Sequence, residues 1–477
     1  MVFSSLTFLC IFLPAVFLLY GIIPSLKARN IILMLASLVF YAYGEPVYVL
    51  LMIGSSLCNY CFARLVAGGS ARKRKAYLVI DLVINLGLLC VFKYTGMIIA
   101  SFNSVFGIRI PDPQIVLPIG ISFFTFQALS YVIDVYRGKV KAQRNYLYVQ
   151  LYIAFFPQLI AGPIVRYKDI EKEILERSRD MEMIANGLRR FIGGLGKKVL
   201  IANAMGQAAD AVFSAQSSQV NILSAWIGAV AYLFQIYYDF SGYSDMAIGL
   251  GQMFGFHFLE NFQYPYGAFS IQEFWRRWHI SLSTWFREYL YIPLGGNRKG
   301  RPRTVLNKLI VFFCTGLWHG ASWTFVFWGL YHGFFLLLEE YVPILRRIPK
   351  WLGRVYTLLV VCVGFVFFRA DTLGQGFSLA GKMFSGFDFT SAPMSLALRQ
   401  LTPWFLCMLV LAVIGCAPIR KMAEKIRNTS QIIKTPAATT KNKILQAGLY
   451  AGAFLLLAWC MLRLSGSGYN PFIYFKF

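Results

Sequence analysis

Residues Val305 to Leu338 read VLNKLIVFFCTGLWHGASWTFVFWGLYHGFFLLL, and this stretch decides the class of fold. Almost all of its residues are apolar, yet His319 lies near its middle. An ionisable side chain at membrane depth is costly and therefore marks a candidate functional site. A second histidine, His279, lies just ahead, in Phe274-Trp-Arg-Arg-Trp-His-Ile-Ser-Leu-Ser283. Together the two histidines indicate proton-transfer chemistry inside a lipid bilayer.

The composition of the whole chain is that of a membrane protein. Hydrophobic residues make up 57% of the 477 residues and charged residues only 14%. A soluble protein cannot bury so large an apolar fraction, whereas a polytopic membrane protein exposes it to lipid. The first apolar run has no basic region or small-residue cleavage site, which predicts a retained helix and not a signal peptide. Runs long enough to span, or nearly so, are 4–23, 31–43, 46–66, 77–100, 115–136, 199–213, 222–238, 355–369, 400–418 and 445–463.

These runs predict an all-α polytopic membrane protein with about 10–12 transmembrane or re-entrant helices. We expect the helices to surround a central funnel, with interfacial helices on the cytoplasmic side. The whole chain, 1–477, is expected to be one transmembrane domain. Within it we distinguish N-terminal helices (1–238), a catalytic core with a re-entrant hairpin (239–340), and C-terminal helices with an external aromatic tail (341–477).

The net charge of +25 is concentrated in short loops. Loops rich in Lys and Arg remain cytoplasmic, and alternate loops here contain almost none, so both termini are predicted to be external. Contact with anionic membrane lipids explains most of the remaining charge. No soluble basic face indicates nucleic-acid binding. The basic loops contain Lys27 and Arg29; Arg72 to Lys75; Arg137, Lys139, Lys141 and Arg144; Arg298, Lys299, Arg301 and Arg303; and Lys421 to Arg427.

The same charge rule predicts a hairpin around His319. If its apolar stretch crossed the membrane once, the basic residues 346–354 would lie outside and every later loop would have the wrong sign. We therefore expect a re-entrant pair of half-helices that meets near Gly316 to Gly320. A rise of about 1.5 Å per residue would carry His319 roughly 20 Å into the bilayer. Residues 146–165, basic on both flanks and interrupted by prolines, form a second re-entrant candidate.

A long amphiphilic block, residues 239–303, precedes the hairpin. Its tryptophans and arginines suit a helix at the membrane interface. The simplest interpretation is an interfacial anchor; the alternative is the cytoplasmic rim of a cavity whose arginines bind a phosphate-bearing donor. Asp239, Asp245 and Glu288 either orient a histidine or, by default, pair with Arg276 or Arg277. The candidate donor-binding residues are Trp275, Arg276, Arg277, Trp278, Arg287, Asn297 and Trp318.

The segments Phe274 to Trp285 and Trp318-His-Gly-Ala-Ser-Trp323 resemble motifs of the membrane-bound O-acyltransferase family, closest to the alginate O-acetylation type of bacterial polysaccharide acetyltransferases. Weaker similarity at 117–126 and 156–163 extends the resemblance over most of the chain. It implies that His319 is the catalytic histidine, that His279 belongs to the same site, and that a funnel joins a cytoplasmic acyl donor to an external acceptor. The resemblance also implies that the protein lies in a bacterial cytoplasmic membrane. Its donor would be acetyl-CoA or an acyl-carrier-protein thioester, and no cofactor would be permanently bound.

Acyl transfer from a thioester to a hydroxyl needs a base for the hydroxyl proton and a donor for the oxyanion. We expect a neutral His319 to be the general base and His279 to polarise the acyl carbonyl or position the donor; the reverse assignment stays open. The chain has no Gly-x-Ser-x-Gly elbow, so no covalent serine intermediate is expected. Its four histidines show no i,i+4 spacing, and no metal site is expected.

The chain ends in Asn470-Pro-Phe-Ile-Tyr-Phe-Lys-Phe477, external by the predicted topology. An aromatic tail is usually an interface anchor. The ending Phe-Ile-Tyr-Phe also resembles the short C-terminal motif of related acyl-export systems, in which a tyrosine hydroxyl carries the acyl group. This resemblance implies that Tyr474 is an acyl relay that delivers the group to a separate extracytoplasmic acetyltransferase partner.

The expected function is therefore that of an O-acyltransferase for an exported or cell-surface polysaccharide, such as an exopolysaccharide or the cell wall. One alternative is a D-alanyl transferase for teichoic acids, which would use an acyl carrier protein as its cytoplasmic partner. Another is a non-enzymatic polysaccharide exporter with both histidines in its pore. Against the exporter, polar groups here are concentrated around two histidines, whereas a transport channel is usually lined by many.

Overall fold

The computed structural model describes residues 1–417, 436–466 and 468–473. Every regular element in these residues is a helix, which confirms the all-α class. Four of the described helices are long and apolar enough to cross a membrane, or five if the bent pair Ser391–Gln400 and Pro403–Gly415 forms one span. The four are Tyr48–Gly68, Ala71–Phe106, Lys350–Arg369 and Gln446–Gly466.

The described part of the chain forms 21 α-helices. The first twelve are α1 (Leu13–Ile22), α2 (Leu26–Ala42), α3 (Tyr48–Gly68), α4 (Ala71–Leu89), α5 (Thr95–Phe106), α6 (Ile121–Tyr136), α7 (Tyr146–Ala154), α8 (Phe156–Leu159), α9 (Tyr167–Leu175), α10 (Met181–Gly196), α11 (Asn203–Phe213) and α12 (Ile222–Met253). The rest are α13 (Ile271–Arg277), α14 (Ile280–Phe286), α15 (Gly300–His319), α16 (Trp323–Tyr341), α17 (Lys350–Arg369), α18 (Leu373–Ser385), α19 (Ser391–Gln400), α20 (Pro403–Gly415) and α21 (Pro436–Gly466). π-Helical turns lie at Phe8–Phe12, Cys90–Tyr94, Lys197–Ala202 and Arg287–Tyr291, and 3-10 turns at Ser217–Gln219, Pro265–Gly267 and Pro343–Arg346.

Helices α10 and α12 are in backbone contact. A Cβ atom added to Gly194 would lie 2.5 Å from the carbonyl oxygen of Gly242, and one added to Gly187 would lie 2.5 Å from that of Gly249. Lipid supplies no hydrophobic force between helices, so close van der Waals packing at small residues provides the attraction. This crossing fixes the position of α12 relative to the lysines that follow α10.

Helix α12 continues well past residue 239, where the amphiphilic block was expected to begin. Its two carboxylates remain inside the protein because both are paired. Asp239 lies 2.8 Å from Lys198, and Asp245 lies 2.6 Å from Lys197. Paired carboxylates can be carried within a buried helix, whereas isolated ones cannot. The non-helical part of the block therefore starts only after Met253.

The predicted hairpin around His319 is present. Helices α15 and α16 lie side by side and are joined by a short tip at residues 320–322. A Cβ atom on Gly316 would lie 2.3 Å from the carbonyl oxygen of Phe325, and one on Gly329 would lie 2.3 Å from that of Phe312. The two backbones therefore touch. Helix α15 has 20 residues, which is longer than the expected half-helix, because it begins in the basic segment before the apolar stretch.

The second re-entrant candidate, residues 146–165, is a broken segment buried in protein. It consists of α7, the four-residue helix α8 and a coil, with the interruption at Phe155. The Phe156 N–H group donates to Ser37 Oγ at 3.0 Å, and Gln158 Nε2 donates to the carbonyl oxygen of Tyr152 at 2.6 Å. Broken backbone at membrane depth requires such internal partners, so the segment meets one requirement of a re-entrant path, which stays a prediction.

The apolar run 115–136, predicted to span the membrane or nearly so, is only partly helical in the structure. It becomes helical only at Ile121, and α6 has 16 residues. Pro118 and Gly120 interrupt the earlier part, and Gly120 adopts a φ of 78° in the left-handed region that favours glycine. The remaining helix is shorter than the roughly 20 residues that a full crossing needs.

Replacing Gly194 by Ala is expected to destabilise the protein, because the new methyl group meets the backbone of α12. We expect a loss of about 1–3 kcal/mol, seen as a lower unfolding temperature in detergent. The adjacent Gly193→Ala is the matched control, since nothing lies within 4 Å of its added Cβ atom. It should be neutral or stabilising, as alanine favours helix. Equal unfolding temperatures for the two variants would contradict the proposed backbone contact.

Candidate active site

The structure brings His319 and His279 together. His319 is the last residue of α15, and His279 lies at the break between α13 and α14. Their ring centroids are 6.2 Å apart. The two residues are only 4% and 1% exposed, and none of their ring nitrogens has a hydrogen-bond partner within the described part of the chain. Two imidazoles are thus buried side by side, and none of their nitrogens is committed to a partner in the described chain.

Aromatic side chains enclose the histidine pair. The Trp318 ring lies 5.0 Å from the ring of His319 and 5.7 Å from that of His279. Trp328 lies 5.1 Å from His319, and Phe240 lies 5.5 Å from His279. These rings keep water away, and the resulting low polarity strengthens electrostatic interactions with a reacting group.

The backbone at His279 is held in an unusual conformation. Its φ and ψ angles are 46° and 54°, in the left-handed region that few residues other than glycine adopt. Asn261 stabilises this turn: its carbonyl oxygen accepts from Ile280 N–H at 2.9 Å, and its Oδ1 accepts from Ser281 N–H at 3.1 Å. Strained backbone of this kind persists only where the surroundings hold it, as at many active sites. Asn261 is therefore a positioning residue that the sequence analysis missed.

The turn at His279 divides the segment that was expected to lie at the membrane interface. Two short helices replace the single helix, and Trp275, Trp278 and Trp285 are buried. The ring of Trp285 stacks on Phe126 with centroids 3.7 Å apart. The tryptophans of this pattern form an aromatic core around the site and do not serve as an anchor in the lipid headgroups.

Lys93 anchors the end of α15 that carries His319. It is buried, lies in the π-helical turn Cys90–Tyr94, and donates from Nζ to the carbonyl oxygens of Trp318 at 2.6 Å and His319 at 3.4 Å. The last carbonyl groups of a helix lack partners within the helix and attract positive charge. Lys93 is missing from the residues predicted from sequence, although a lysine inside an apolar run follows the rule that identified His319.

A large cavity lies beside the His279 end of the pair. It has a volume of about 740 Å³ and reaches Phe262, whose ring is 6.2 Å from that of His279. We call it the basic cavity, because its walls include Arg189, Arg190 and Lys197. Asp245 and Glu260 also line it and pair with Arg190.

A smaller cavity lies beside the His319 end. It has a volume of about 210 Å³ and reaches Phe368, whose ring is 5.2 Å from that of His319. We call it the tail cavity, because Pro471 and Ile473 of the C-terminal segment line it, together with Ser322 at the hairpin tip. The histidine pair therefore lies between two cavities and is separated from each by aromatic side chains.

None of the predicted donor-binding residues, the three tryptophans included, lines the basic cavity. Arg276, Arg287 and Asn297 are exposed, and Asn297 accepts a hydrogen bond from the hydroxyl of Tyr291. Arg277 pairs with Glu273, four residues earlier on α13. The cations that do line this cavity come from α10 and the π-helical turn after it, and only the three-dimensional fold reveals them.

Glu288 pairs with residues that the sequence analysis did not consider. Its carboxylate contacts Arg166 at 2.7 Å, Lys168 at 2.9 Å and Lys139 at 3.5 Å. Partial burial raises the pKa of Glu288, but these cations more than offset that effect and hold the pKa below its ordinary value. Asp239 and Asp245 pair with Lys198 and Lys197. The default expectation of structural ion pairs is correct for all three carboxylates, but Arg276 and Arg277 are not the partners.

The other histidines lie outside the site. His332 packs between Trp275 and Trp328, with ring centroids 5.3 and 5.1 Å away, and its nitrogens have no partner in the described chain. His257 is exposed and contacts Glu173 at 2.7 Å. Tyr474, the candidate acyl relay, lies outside the described residues.

Replacing Lys93 by Met is expected to lower the turnover of the acyl donor by at least about tenfold, because it displaces the imidazole of His319, the predicted general base, and such a displacement costs rate and not affinity. The KM for the donor should change little, and Lys93→Arg should restore part of the rate. Tyr94→Phe is the matched control, since the Tyr94 hydroxyl donates to the neighbouring carbonyl of Leu317 at 2.8 Å. A change in KM alone, or equal effects of Lys93→Met and Tyr94→Phe, would contradict the positioning role.

Comparison with known proteins identifies the family. The family model of the membrane-bound O-acyltransferases matches residues 140–369, which include both histidines. The chain is 40% identical to a Pseudomonas putida protein named "probable alginate O-acetylase AlgI" over 100% of both chains. It is 34% identical to the peptidoglycan O-acetyltransferase of Helicobacter pylori, over 100% of this chain and 98% of that one. It is 26% identical to the teichoic acid D-alanyltransferase of Bacillus subtilis, over 74% of this chain and 94% of that one. The chain therefore belongs to the membrane-bound O-acyltransferase family and is a multi-pass membrane enzyme that transfers acyl groups to hydroxyl groups.

Proposed function

We propose that this enzyme moves an acetyl group from a cytoplasmic thioester across the bacterial cytoplasmic membrane, for O-acetylation of an exported or cell-surface polysaccharide. The observation that carries the proposal is the position of the two histidines between separate cavities. The alginate and peptidoglycan acetylating enzymes to which the chain is similar over its full length support acetyl as the acyl group and a polysaccharide as the final acceptor.

The charge distribution supports the orientation. The basic cavity includes Ala417, directly before the basic loop that contains Lys421 to Arg427, and basic loops remain cytoplasmic. The side-chain amide of Asn470 donates to the carbonyl oxygen of Ser4 at 2.8 Å, so the two ends of the chain lie on the same side. We place the basic cavity inside the cell and both termini outside.

The basic cavity is suited to a phosphate-bearing thioester donor. Its cations are Arg189, Arg190 and Lys197, and arginine binds phosphate with two parallel bonds. Arg190 and Lys197 pair with Asp245 and Glu260, so a phosphate would meet Arg189 first or would displace these carboxylates. Both acetyl-CoA and an acyl carrier protein present the thioester at the end of a phosphorylated arm. That arm has to pass Tyr237 and Phe262 before the acyl carbon reaches His279.

The reaction at the pair is a direct acyl transfer. His319 takes the proton of the attacking hydroxyl while its oxygen forms a bond to the thioester carbonyl carbon. The tetrahedral oxyanion then collapses and the carbon–sulfur bond breaks. The proton passes from the His319 imidazolium to the departing thiolate, which restores the neutral histidine. His279 polarises the carbonyl or positions the donor. The reverse assignment, with His279 as the general base, fits the same geometry.

The first acceptor in this scheme is the hydroxyl of Tyr474. Ile473, the residue directly before Tyr474 in the sequence, lies in the wall of the tail cavity. The resulting tyrosine ester delivers its acetyl group to a polysaccharide hydroxyl on a separate extracytoplasmic acetyltransferase. In that second step the tyrosyl oxygen–acyl bond breaks, and the tyrosine regains the proton of the acceptor hydroxyl.

A second candidate is D-alanyl transfer to teichoic acids. The similarity to the Bacillus subtilis D-alanyltransferase over 74% of this chain favours it. The basic cavity would then receive the thioester arm of a carrier protein. The identity is lower and the coverage shorter than for the alginate relatives, so acetyl transfer is the first proposal.

The variant His319→Ala is expected to lower acyl transfer by about 10²–10⁴-fold, the usual contribution of a general base. Membranes with matched protein levels would be given radiolabelled acetyl-CoA or D-alanyl carrier protein, and ester label in the polymer would be counted. The matched control is His257→Ala, because His257 is exposed and lies outside the site. Equal labelling in both variants would overturn the catalytic assignment, and transfer from the D-alanyl donor alone would establish the second candidate.

The variant Tyr474→Phe is expected to abolish polymer O-acetylation while leaving the amount and stability of the protein unchanged, because only the acyl-carrying oxygen is removed. Tyr450→Phe, on the exposed face of α21, is the matched control. Ester content of purified polysaccharide is the measurement. Wild-type ester levels in Tyr474→Phe would exclude the tyrosine relay but leave direct transfer at His319 intact.

A further inference from the structure

Residues 469–473, which we call the C-terminal segment, are inserted into the protein and do not lie along its surface. Phe472 and Ile473 are buried, and the Phe472 ring packs on Tyr243 with centroids 5.0 Å apart. Tyr469 donates from its hydroxyl to Asp210 at 2.6 Å. A plain aromatic anchor would place these side chains in the lipid headgroups, so the segment has a different role.

A buried ion pair holds the main chain of this segment. Lys198 and Asp239 are 3% and 1% exposed and lie 2.8 Å apart. Lys198 Nζ also donates to the carbonyl oxygen of Pro471, and Asp239 Oδ2 accepts from Ile473 N–H at 3.0 Å. The two charges thus bind one acceptor and one donor that flank Phe472.

We propose that Lys198 and Asp239 form a peptide clamp that seats the C-terminal segment at the tail cavity, and that the relay works only while the segment is clamped. The inference rests on the proposed function, because it concerns delivery by the residue after Ile473. The clamp recognises a short peptide that carries an aromatic side chain between the two main-chain groups bound by Lys198 and Asp239.

The arrangement explains why a costly ion pair lies at this depth. A purely structural pair could be replaced by packed apolar side chains with little loss of stability. Apolar side chains could not bind the carbonyl of Pro471 or the N–H of Ile473, which would be left without partners. Fixing Ile473 also limits where the following side chain can lie, and acyl transfer is sensitive to displacements of about 1 Å.

The test is the double variant Lys198→Met/Asp239→Leu in the full-length protein, which removes the clamp without leaving a lone buried charge. Hydrogen–deuterium exchange of the C-terminal peptide, followed by mass spectrometry, is expected to accelerate by at least about tenfold. Lys168→Met/Glu288→Leu removes the ion pairs of Glu288, leaves Arg166 paired with Asp169, and should leave this exchange unchanged. The O-acetyl content of the polysaccharide should fall to the His319→Ala level in the first variant.

A second variant keeps the test valid if the double variant fails to fold. Phe472→Ala leaves the ion pair intact, loosens the segment from Tyr243, and is expected to raise exchange and lower ester content in the same way. Unchanged exchange in the double variant would overturn the clamp. Faster exchange with wild-type ester content would overturn its role in delivery. If His319→Ala keeps wild-type ester content, the proposed function fails, and the exchange data still decide whether the clamp exists.

Discussion

The close approach of two pairs of helical backbones determines where the chemistry of this protein lies. The contact at Gly316 and Gly329 brings α15 and α16 together and places His319 at the tip of their hairpin. The contact at Gly194 and Gly242 sets the end of α10 against α12, so that successive lysines meet different carboxylates on that helix. Lys197 faces the basic cavity, and Lys198 faces the C-terminal segment. Small residues are what allow such contacts where lipid provides no hydrophobic attraction between helices.

Buried charge in this protein is used to hold main chain in place. Lys93 binds the carbonyl groups at the end of α15, and the Lys198–Asp239 pair binds the C-terminal segment. The ring nitrogens of His279, His319 and His332 have no partner in the described chain. Buried polar atoms are normally satisfied, and exceptions concentrate at functional sites. The pair differs from His332 because the rings of His279 and His319 lie next to Phe262 and Phe368, which line the two cavities.

Part of the site could be predicted because its signal is local. A histidine in an apolar stretch and the alternation of basic loops were enough to expect His319 at the turn of a hairpin. The neighbouring tryptophans were harder to place, since a membrane interface and an aromatic core use the same residues; Trp275 and Trp278 are in the core.

The residues that support the histidine pair could be identified only from the three-dimensional structure. The left-handed backbone at His279 depends on Asn261, which lies in a different segment, and nothing in the local sequence requires a positive φ at a histidine. The cations of the basic cavity reach it through the crossing of α10 and α12. Lys93 had a sequence signal, as a lysine within an apolar run, but its partners at Trp318 and His319 are more than 200 residues away.

The central claim is that acyl groups cross the membrane at the histidine pair, from the side of the basic cavity to the side of the tail cavity. The most direct test uses sealed inverted membrane vesicles from the native host, with radiolabelled acetyl-CoA added to the exposed cytoplasmic face. Our account predicts acetyl ester on polymer inside the vesicles, protected from added esterase, and absent when the vesicles carry His319→Ala. Label that appears only on the outer face, or that enters equally well with the variant, would contradict transfer through this site.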